Sequence, residues 1–393
     1  MTSTYDLSSA EPEMMKENTS RRMGIGGRLR EYWLAFKLVF RSLTYNSFTS
    51  SSMAIDIAME PVIWTVEHIT KYMGPMMVGM VILLTTFVVV IMYLIVLPES
   101  MVRSSYELWI HLIFGQWVMV NILFHYYKSV TTKPGHPPPV VSETGAGGIC
   151  KKCIGPKPLR THHCSVCRTC ILKMDHHCPW INNCVGHFNH RYFMLFCIYM
   201  SIGCIYVTIS VWPQFRDEFF DARKTFESLF GDSIFARSME IYNQAKAADT
   251  IRNMNETELV KNGAPLIPPK YTLSFSESMH HKAVVYEFFV CSGVTIALGG
   301  LSIWHARLVS RGETSIEKHI NDEERKRLSK LKIVYKNPYD FGVRKNWEIL
   351  LGINVRHRSF IRHVLFPSSH LPERDGVHWI NQLTPGYVAK SVP

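Results

Sequence analysis

The feature that most constrains this chain is an uncharged apolar run at residues 74–97, which reads GPMMVGMVILLTTFVVVIMYLIVL. Its 24 residues contain no Asp, Glu, Lys or Arg. As a helix rising about 1.5 Å per residue, the run is roughly 36 Å long, enough to cross a hydrocarbon core of about 30 Å with some tilt. The alternative, a buried helix of a soluble core, rarely stays apolar on every face over such a length. The run therefore predicts a membrane span.

Three weaker apolar segments follow, at residues 106–127, 192–212 and 283–304. The segment at residues 106–127 carries several polar residues. We expect these to face partner helices, because lipid cannot form hydrogen bonds with them. Only 19% of the chain is charged, against about 25% in ordinary soluble domains. The sequence thus predicts an α-helical polytopic membrane protein with four transmembrane helices and both termini on one side.

The charges of the connecting segments predict the orientation. Residues 128–191 hold nine Lys and Arg against two acids, residues 213–281 hold eight against ten, and residues 305–393 hold sixteen against nine. Because basic loops stay in the cytosol, residues 128–191 and 305–393 are predicted to be cytosolic and residues 213–281 lumenal. The glycosylation sequon at Asn255 falls in this lumenal loop.

The predicted domain organisation follows from these assignments. Residues 1–73 form a cytosolic N-terminal region, and residues 74–127 hold the first two transmembrane helices. A cytosolic cysteine-rich domain occupies residues 128–191. Residues 192–304 hold the last two spans with their lumenal loop, and residues 305–393 form a cytosolic tail. Residues 50–72 are either an amphipathic helix on the membrane or a connecting loop.

Seven of the ten cysteines crowd into the 35 residues from 150 to 184, together with several histidines. Cytosolic thiols stay reduced, so a disulfide framework is not expected there. Pairs of cysteines two residues apart, with histidines nearby, are typical of tetrahedral zinc sites. Two such sites need eight ligands. Six cysteines and two histidines fill them and leave one cysteine over.

Cys178 is the best candidate for this spare thiol, because it stands outside any Cys-x-x-Cys pair and next to two histidines and an aspartate. A thiol with a pKa near 8.5 needs help to act as a nucleophile at neutral pH. An imidazole can accept its proton, and a carboxylate can orient that imidazole. Asp175, His176 and Cys178 supply these three groups within four residues. From spacing alone the alternative stays open, in which Cys178 ligates zinc and the histidine pair is structural.

The cysteine run, the sequence Asp175-His176-His177-Cys178 and the residues that follow it resemble the signature of the DHHC family of protein S-acyltransferases, or palmitoyltransferases. The resemblance covers about residues 74–350. Two further segments, at residues 311–317 and 337–347, are similar to the family's endoplasmic-reticulum members of the Abl-philin type. The family often has Thr-Thr-x-Glu after the fourth span, where this chain has Thr314-Ser315-Ile316-Glu317.

The resemblance implies two structural zinc ions and assigns their ligands. One ion takes Cys150, Cys153, His163 and Cys170, and the other takes Cys164, Cys167, His177 and Cys184. His162 has no ligand role. The resemblance also implies that the Asn of the family's C-terminal motif, here Asn346, anchors the tail on the transmembrane core.

The resemblance further implies that Cys178 is the nucleophile, His176 the general base and Asp175 its orienting carboxylate. The expected function is that of a protein S-palmitoyltransferase, which moves a long-chain acyl group from palmitoyl-CoA or another acyl-CoA to protein cysteines through an acyl-enzyme. Trp180 either packs on the acyl chain or is an interface aromatic.

The expected partners are the bilayer, acyl-CoA and membrane-associated proteins with cytosolic cysteines, and the expected location is the endoplasmic reticulum or Golgi. A membrane-anchored zinc scaffold without turnover is the alternative. Nucleic-acid binding is not expected, because the spacing of the common zinc finger is missing.

Overall fold

The computed structural model describes residues 25–45, 51–139, 146–220, 246 and 275–379. Asn255, most of the segment predicted to be lumenal and the last residues of the tail lie outside these ranges. The chain divides into two compact units, residues 1–66 and residues 67–393. The first unit holds helix α1 (Ile25–Tyr45), and helix α2 (Ser51–Ile91) begins in it.

Within the described ranges, four helices are long and apolar enough to cross a membrane: Met59–Arg103, Ser105–Thr131, His190–Phe219 and Phe275–Ser310. Each contains one of the four apolar segments of the sequence, so the predicted four-span fold class is confirmed. The helices extend beyond the apolar segments because backbone hydrogen bonding continues past the last apolar residue. Helix α2 begins at Ser51, so the segment at residues 51–72 is helical.

The first two spans are each built of two helices joined by one turn of π-helix. In the first span the turn Met92–Val96 joins α2 to α3 (Leu97–Arg103). In the second span the turn His111–Gly115 joins α4 (Ser105–Ile110) to α5 (Gln116–Thr131). The Ser104 hydroxyl between the spans accepts a hydrogen bond from the Tyr106 amide at 3.2 Å and caps α4.

The third span, α6 (His190–Phe219), is the most buried of the four and packs against both α5 and α7 (Phe275–Ser310). Small residues allow this close approach. A Cβ atom at Gly203 would lie 2.7 Å from Cδ1 of Ile122. The Ser201 hydroxyl donates to the Cys197 carbonyl at 2.8 Å, which satisfies it within its own helix.

Between the second and third spans, the part of the chain that the structure describes contains six short strands, which pair as three antiparallel hairpins. They are β1 (Ala146–Cys150) with β2 (Gly155–Pro158), β3 (His162–Cys164) with β4 (Thr169–Ile171), and β5 (His176–Cys178) with β6 (Asn183–Val185). After the fourth span come α8 (Ser315–Lys330) and α9 (Val343–Leu351), then a π-helical turn at Ile361–Leu365.

Asn346 connects α9 to the end of the fourth span. Its side-chain amide donates to the Ser310 carbonyl at 3.0 Å and to the Asp340 carboxylate at 2.8 Å, and its carbonyl oxygen accepts from the Phe341 amide at 3.0 Å. The neighbouring Trp347 indole donates to the Ser310 hydroxyl at 3.0 Å. These contacts place Asn346 at the junction between tail and span.

Candidate metal clusters and active site

The hairpins bring the cysteine and histidine side chains together in two groups. Successive residues of a strand point to opposite faces, so the neighbours His163 and Cys164 on β3 join different groups. The strand register then supplies a cysteine opposite each histidine: His163 pairs with Cys170, and His177 pairs with Cys184. The preceding hairpin supplies the remaining two thiols, one at the end of its first strand and one in its turn.

The first group contains Cys150, Cys153, His163 and Cys170, whose ligand atoms all lie within 4.8 Å of one another. The Nδ1 atom of His163 is 3.2 Å from Sγ of Cys153 and 3.8 Å from Sγ of Cys150. The sulfurs of Cys153 and Cys170 are 3.7 Å apart. These short distances show that the four ligand atoms form one small cluster.

The second group contains Cys164, Cys167, His177 and Cys184. The Nδ1 atom of His177 is 3.4 Å from Sγ of Cys167 and 3.5 Å from Sγ of Cys184, and these two sulfurs are 3.5 Å apart. In a tetrahedral site with Zn–S bonds near 2.3 Å, sulfurs are separated by about 3.8 Å. Both groups therefore have the donor set and the spacing that fit a four-coordinate zinc ion.

Two of the residues singled out in the sequence lie outside both groups. His162 on β3 belongs to neither. Cys178 at the end of β5 also belongs to neither, and only 7% of its surface is exposed. It pairs with Asn183 in the hairpin, and the Asn183 side chain donates to three carbonyl groups at the end of the second span. The hairpin that carries Cys178 is thereby attached to the transmembrane core.

Asp175 and His176 lie immediately before Cys178 and contact each other. Nδ1 of His176 donates to Oδ2 of Asp175 at 2.7 Å, and Oδ1 of Asp175 accepts from the backbone amide of Ser315 at 2.6 Å. The Asp175 side chain is completely buried, whereas 31% of the His176 side chain is exposed. A fixed carboxylate thus orients a partly accessible imidazole on the same strand as Cys178.

The electrostatics of this pair favour a basic imidazole. Burial alone would lower the pKa of His176, but its hydrogen bonds with Asp175 and Cys178 outweigh this effect and raise the pKa to about 9. For the carboxyl group of Asp175, burial has the opposite effect and tends to raise the pKa. The hydrogen bond from His176 and the surrounding histidines hold that pKa well below its usual range. Asp175 is therefore ionised, and it strengthens His176 as a proton acceptor.

The structure adds groups to this site that the sequence spacing did not indicate. His305, in the last turns of the fourth span, places Nδ1 3.5 Å from Oδ2 of Asp175, and its ring centroid is 5.4 Å from that of His176. Phe193, at the start of the third span, has its ring 5.1 Å from His176. No local signal links these residues, because 130 residues separate Asp175 from His305.

Ser315 stands where the family often has a second threonine. It contacts Asp175 through its backbone amide and not through its hydroxyl. A change of side chain from threonine to serine therefore leaves this hydrogen bond in place, and the departure from the common motif does not disturb Asp175.

Glu317 connects α8 to the cysteine-rich segment. Its side chain closes a capping box with Thr314 at the start of α8. It also accepts two hydrogen bonds from Arg160, both at 2.6 Å, and the two side chains are only 7% and 10% exposed. The Arg160 guanidinium lies 4.4 Å from the Tyr339 ring and 4.6 Å from the Trp379 ring. One buried ion pair thus joins three distant parts of the chain.

We expect Glu317→Gln to lower the free energy of unfolding by about 3–5 kcal/mol, because Arg160 would remain buried without its counter-charge. The matched control is Glu324→Gln on the same helix, whose carboxylate pairs with Arg327 at the surface. Solvent screens such a pair, so we expect the control to have little effect on stability. Denaturant unfolding of the detergent-solubilised protein measures both. Equal effects of the two substitutions would contradict the prediction.

A cavity of about 560 Å³ lies between the four spans. Most of its lining is aliphatic or aromatic, and Cys178, Trp180 and Ile181 lie at one end. Its wall on α7 runs from Val290 to Leu301, roughly 16 Å of helix. Polar pairs lie at the opposite end: the Gln116 amide donates to the Tyr93 hydroxyl at 2.6 Å, and His111 bonds to the Tyr206 hydroxyl. The cavity can hold a long flexible apolar chain next to Cys178.

Trp180 lies where this cavity meets the cysteine-rich segment. Its side chain is 50% exposed, and its carbonyl accepts from the Tyr126 hydroxyl at 3.0 Å. The position of Trp180 is compatible with both predicted roles. Its side chain lines the cavity, as packing on an acyl chain requires, and it is also half exposed, as an interface aromatic would be.

Comparison with known proteins gives consistent matches. The family model "DHHC palmitoyltransferase" matches residues 143–322. Palmitoyltransferase ZDHHC16A of Danio rerio is 41% identical over 361 residues, which is 91% of either chain. Palmitoyltransferase ZDHHC16 of Homo sapiens is 44% identical over 355 residues, covering 89% of this chain and 87% of the human protein. Palmitoyltransferase ZDHHC15 of Mus musculus is 45% identical over 98 residues, 23% of this chain.

Proposed function

The chain belongs to the DHHC palmitoyltransferase family, and we propose that its acyl-enzyme forms on Cys178, with His176 as general base and Asp175 as the carboxylate that orients it. The protein is a protein S-palmitoyltransferase. The expected nearness to the Abl-philin type is likewise confirmed by the ZDHHC16 relatives. A zinc scaffold without turnover is not favoured.

The observation that carries the proposal is the position of Cys178. Among the seven cysteines at residues 150–184 it is the one outside both clusters, and it faces the apolar cavity. A thiol next to a basic imidazole can lose its proton, and a cavity for the acyl chain holds a thioester beside that thiol. Proximity of this kind supplies a large part of the rate of a group transfer.

The proposed reaction has two thioester exchanges. His176 accepts the proton of Cys178, and the thiolate attacks the carbonyl carbon of an acyl-CoA. The C–S bond to CoA breaks, and the CoA sulfur leaves with a proton. A thiolate of the substrate protein then attacks the acyl-Cys178 thioester, and Cys178 regains its proton. Each step forms one C–S bond and breaks another, so the mechanism is ping-pong and needs no other source of energy.

We propose that each of the two clusters holds a zinc ion with a structural role. Four protein ligands close each site, so no position remains for a substrate. The ions would hold the three hairpins together, and the β5–β6 hairpin presents Cys178 to the cavity. The clusters would thereby position the nucleophile without entering the chemistry.

The donor in this proposal is palmitoyl-CoA or another long-chain acyl-CoA, whose chain enters the cavity and packs against Trp180. Its phosphates would meet the Lys and Arg side chains of residues 128–191. The acceptors would be membrane-associated proteins with cysteines near the bilayer. We propose that the site lies at the cytosolic face, which the basic loops support, and that the membrane is that of the endoplasmic reticulum or Golgi. The added acyl chain would strengthen membrane binding of the product by about 0.8 kcal/mol per buried methylene.

The proposal is tested by single-turnover acylation in detergent, with palmitoyl-CoA in excess and no acceptor. We expect one CoA released for each acyl-enzyme formed, followed by transfer when a cysteine peptide is added. CoA release that depends on the acceptor, with no acyl-enzyme beforehand, would contradict the two-step mechanism.

In the same assay we expect Asp175→Asn to slow acyl-enzyme formation by about 10²- to 10⁴-fold, because an amide no longer fixes the tautomer of His176 or favours its protonation. Asp322→Asn is the matched control, since this carboxylate pairs with Lys318 and Arg325 on the surface of α8. An unchanged rate in Asp175→Asn, with the control also unchanged, would remove Asp175 from the mechanism.

A further inference from the structure

Helix α1 (Ile25–Tyr45) carries an apolar face that acyl transfer does not use. At 3.6 residues per turn, six of its apolar side chains fall within about one third of the circumference, namely Leu29, Tyr32, Trp33, Phe36, Val39 and Phe40. The exposed Leu34 and Leu38 lie on the opposite side, so this face is distinguished by its aromatic rings. Leu29 is 64% exposed, Tyr32 73%, Trp33 63% and Phe36 60%. The rings of Trp33 and Phe36 stack at 5.8 Å, and those of Phe36 and Phe40 at 6.2 Å. The face is therefore a continuous aromatic surface.

The same helix is basic. The segment contains Arg28, Arg30, Lys37 and Arg41 against a single acid, Glu31, a net charge of 4 − 1 = +3. Arg30 and Lys37 fall along one edge of the apolar face on the helical wheel, and both are exposed. Aromatic residues on one side with Lys and Arg at its border are the pattern of helices that lie in the interface of a bilayer.

The connection to the first span limits where α1 can be. Five residues, 46–50, separate Tyr45 from Ser51, where α2 begins. Helix α2 then continues without interruption into the uncharged run that begins at residue 74. Helix α1 is therefore tethered to a membrane span, and this tethering raises the effective concentration of lipid around it.

We propose that α1 is a membrane-interface helix that binds anionic lipid, with its aromatic face in the acyl-chain boundary and its basic edge at the headgroups. Charge selects anionic over zwitterionic lipid, and each Lys or Arg close to such a surface strengthens binding by about fivefold. Trp33 and Tyr32 suit this depth because each has an apolar body and a polar tip. The proposal is independent of the acyl-transfer chemistry.

The test uses the full chain in nanodiscs of phosphatidylcholine alone or of phosphatidylcholine and phosphatidylserine at about 7:3. A photoreactive p-benzoylphenylalanine replaces Phe36 in one protein and Leu34, on the opposite face, in the other. After irradiation, intact mass shows which molecule is attached. We expect a lipid adduct at position 36, several times more of it with phosphatidylserine, and little at position 34.

The charge contribution is tested in the same discs with Arg30→Gln/Lys37→Gln, which we expect to remove most of the gain from phosphatidylserine. Hydrogen exchange of the unsubstituted chain gives a check that needs no probe residue: amides of residues 25–45 should exchange severalfold more slowly with the anionic lipid. Equal lipid adducts at positions 34 and 36 would overturn the proposal. Calcium-loaded calmodulin, which also binds basic amphipathic helices, is added to a parallel sample. If the probe at position 36 became attached only to protein, whether calmodulin or this chain, and never to lipid, the proposal would also be overturned.

Discussion

Cys178→Ser is expected to abolish the acyl-enzyme and to lower palmitoyl transfer by at least about 10³-fold, while zinc content stays unchanged. A serine hydroxyl is far harder to deprotonate than a thiol, so His176 cannot generate a useful nucleophile from it. The substitution removes no metal ligand, because Cys178 lies outside both clusters. The Cys178→Ser substitution should therefore abolish catalysis without affecting metal binding.

The measurement combines intact mass after addition of palmitoyl-CoA, with an adduct that hydroxylamine releases, and zinc content on the same samples. Cys197→Ser is the matched control. Its thiol is also buried on the cavity wall, at 1% exposure, but it belongs to the third span. We expect this control to keep the adduct. An adduct that persists in Cys178→Ser would assign the nucleophile to another thiol, and loss of zinc from that variant would contradict the ligand assignment.

The sequence predicted those parts of the molecule that are encoded locally. The four spans follow from apolar runs. The short cysteine and histidine spacings predict zinc binding, because a hairpin brings such neighbours together whatever the rest of the fold does, but the assignment of the eight ligands came from the resemblance to the DHHC family. Asp175, His176 and Cys178 are adjacent in the chain, so their proximity needs no long-range information.

The contacts that complete the site are of a different kind. His305 and the amide of Ser315 reach Asp175 only because the fourth span ends beside the β5–β6 hairpin. The pairing of Arg160 with Glu317 spans 157 residues. Nothing in the local sequence around one residue of such a pair indicates its distant partner. These contacts therefore cannot be predicted from a single sequence.

Helix α1 is an instructive omission. The sequence reading treated residues 1–73 as one cytosolic region, although the 3.6-residue period of Leu29, Trp33 and Phe36 is visible in it. The segment has too many charges for a membrane span, so the sequence predicted no more for it than part of a cytosolic N-terminal region. In the folded helix these periodic residues lie on one exposed face, which is the observation that the membrane-interface proposal uses.

The second large effect is expected at the metal clusters. His163→Ala should lower zinc from two ions per protein to less than one, and should also abolish the acyl-enzyme. His163 is one of four donors of the first cluster, and its neighbour Cys164 on β3 belongs to the second. Structural zinc contributes about 10–16 kcal/mol to folding in zinc-finger peptides. We expect a three-residue strand that loses its metal on one face to lose its register for the metal on the other face as well.

The matched control is His162→Ala, one residue earlier on the same strand and outside both clusters, which should keep two zinc ions and the acyl-enzyme. Zinc is measured by elemental analysis and the acyl-enzyme by intact mass on the same preparations. Retention of one zinc ion and a normal acyl-enzyme in His163→Ala would mean that the clusters fold independently. Retention of both ions would remove His163 from the ligand set. Loss of both ions together, with the control intact, follows only if the shared strand β3 couples the two clusters to each other and, through the β5–β6 hairpin, to Cys178.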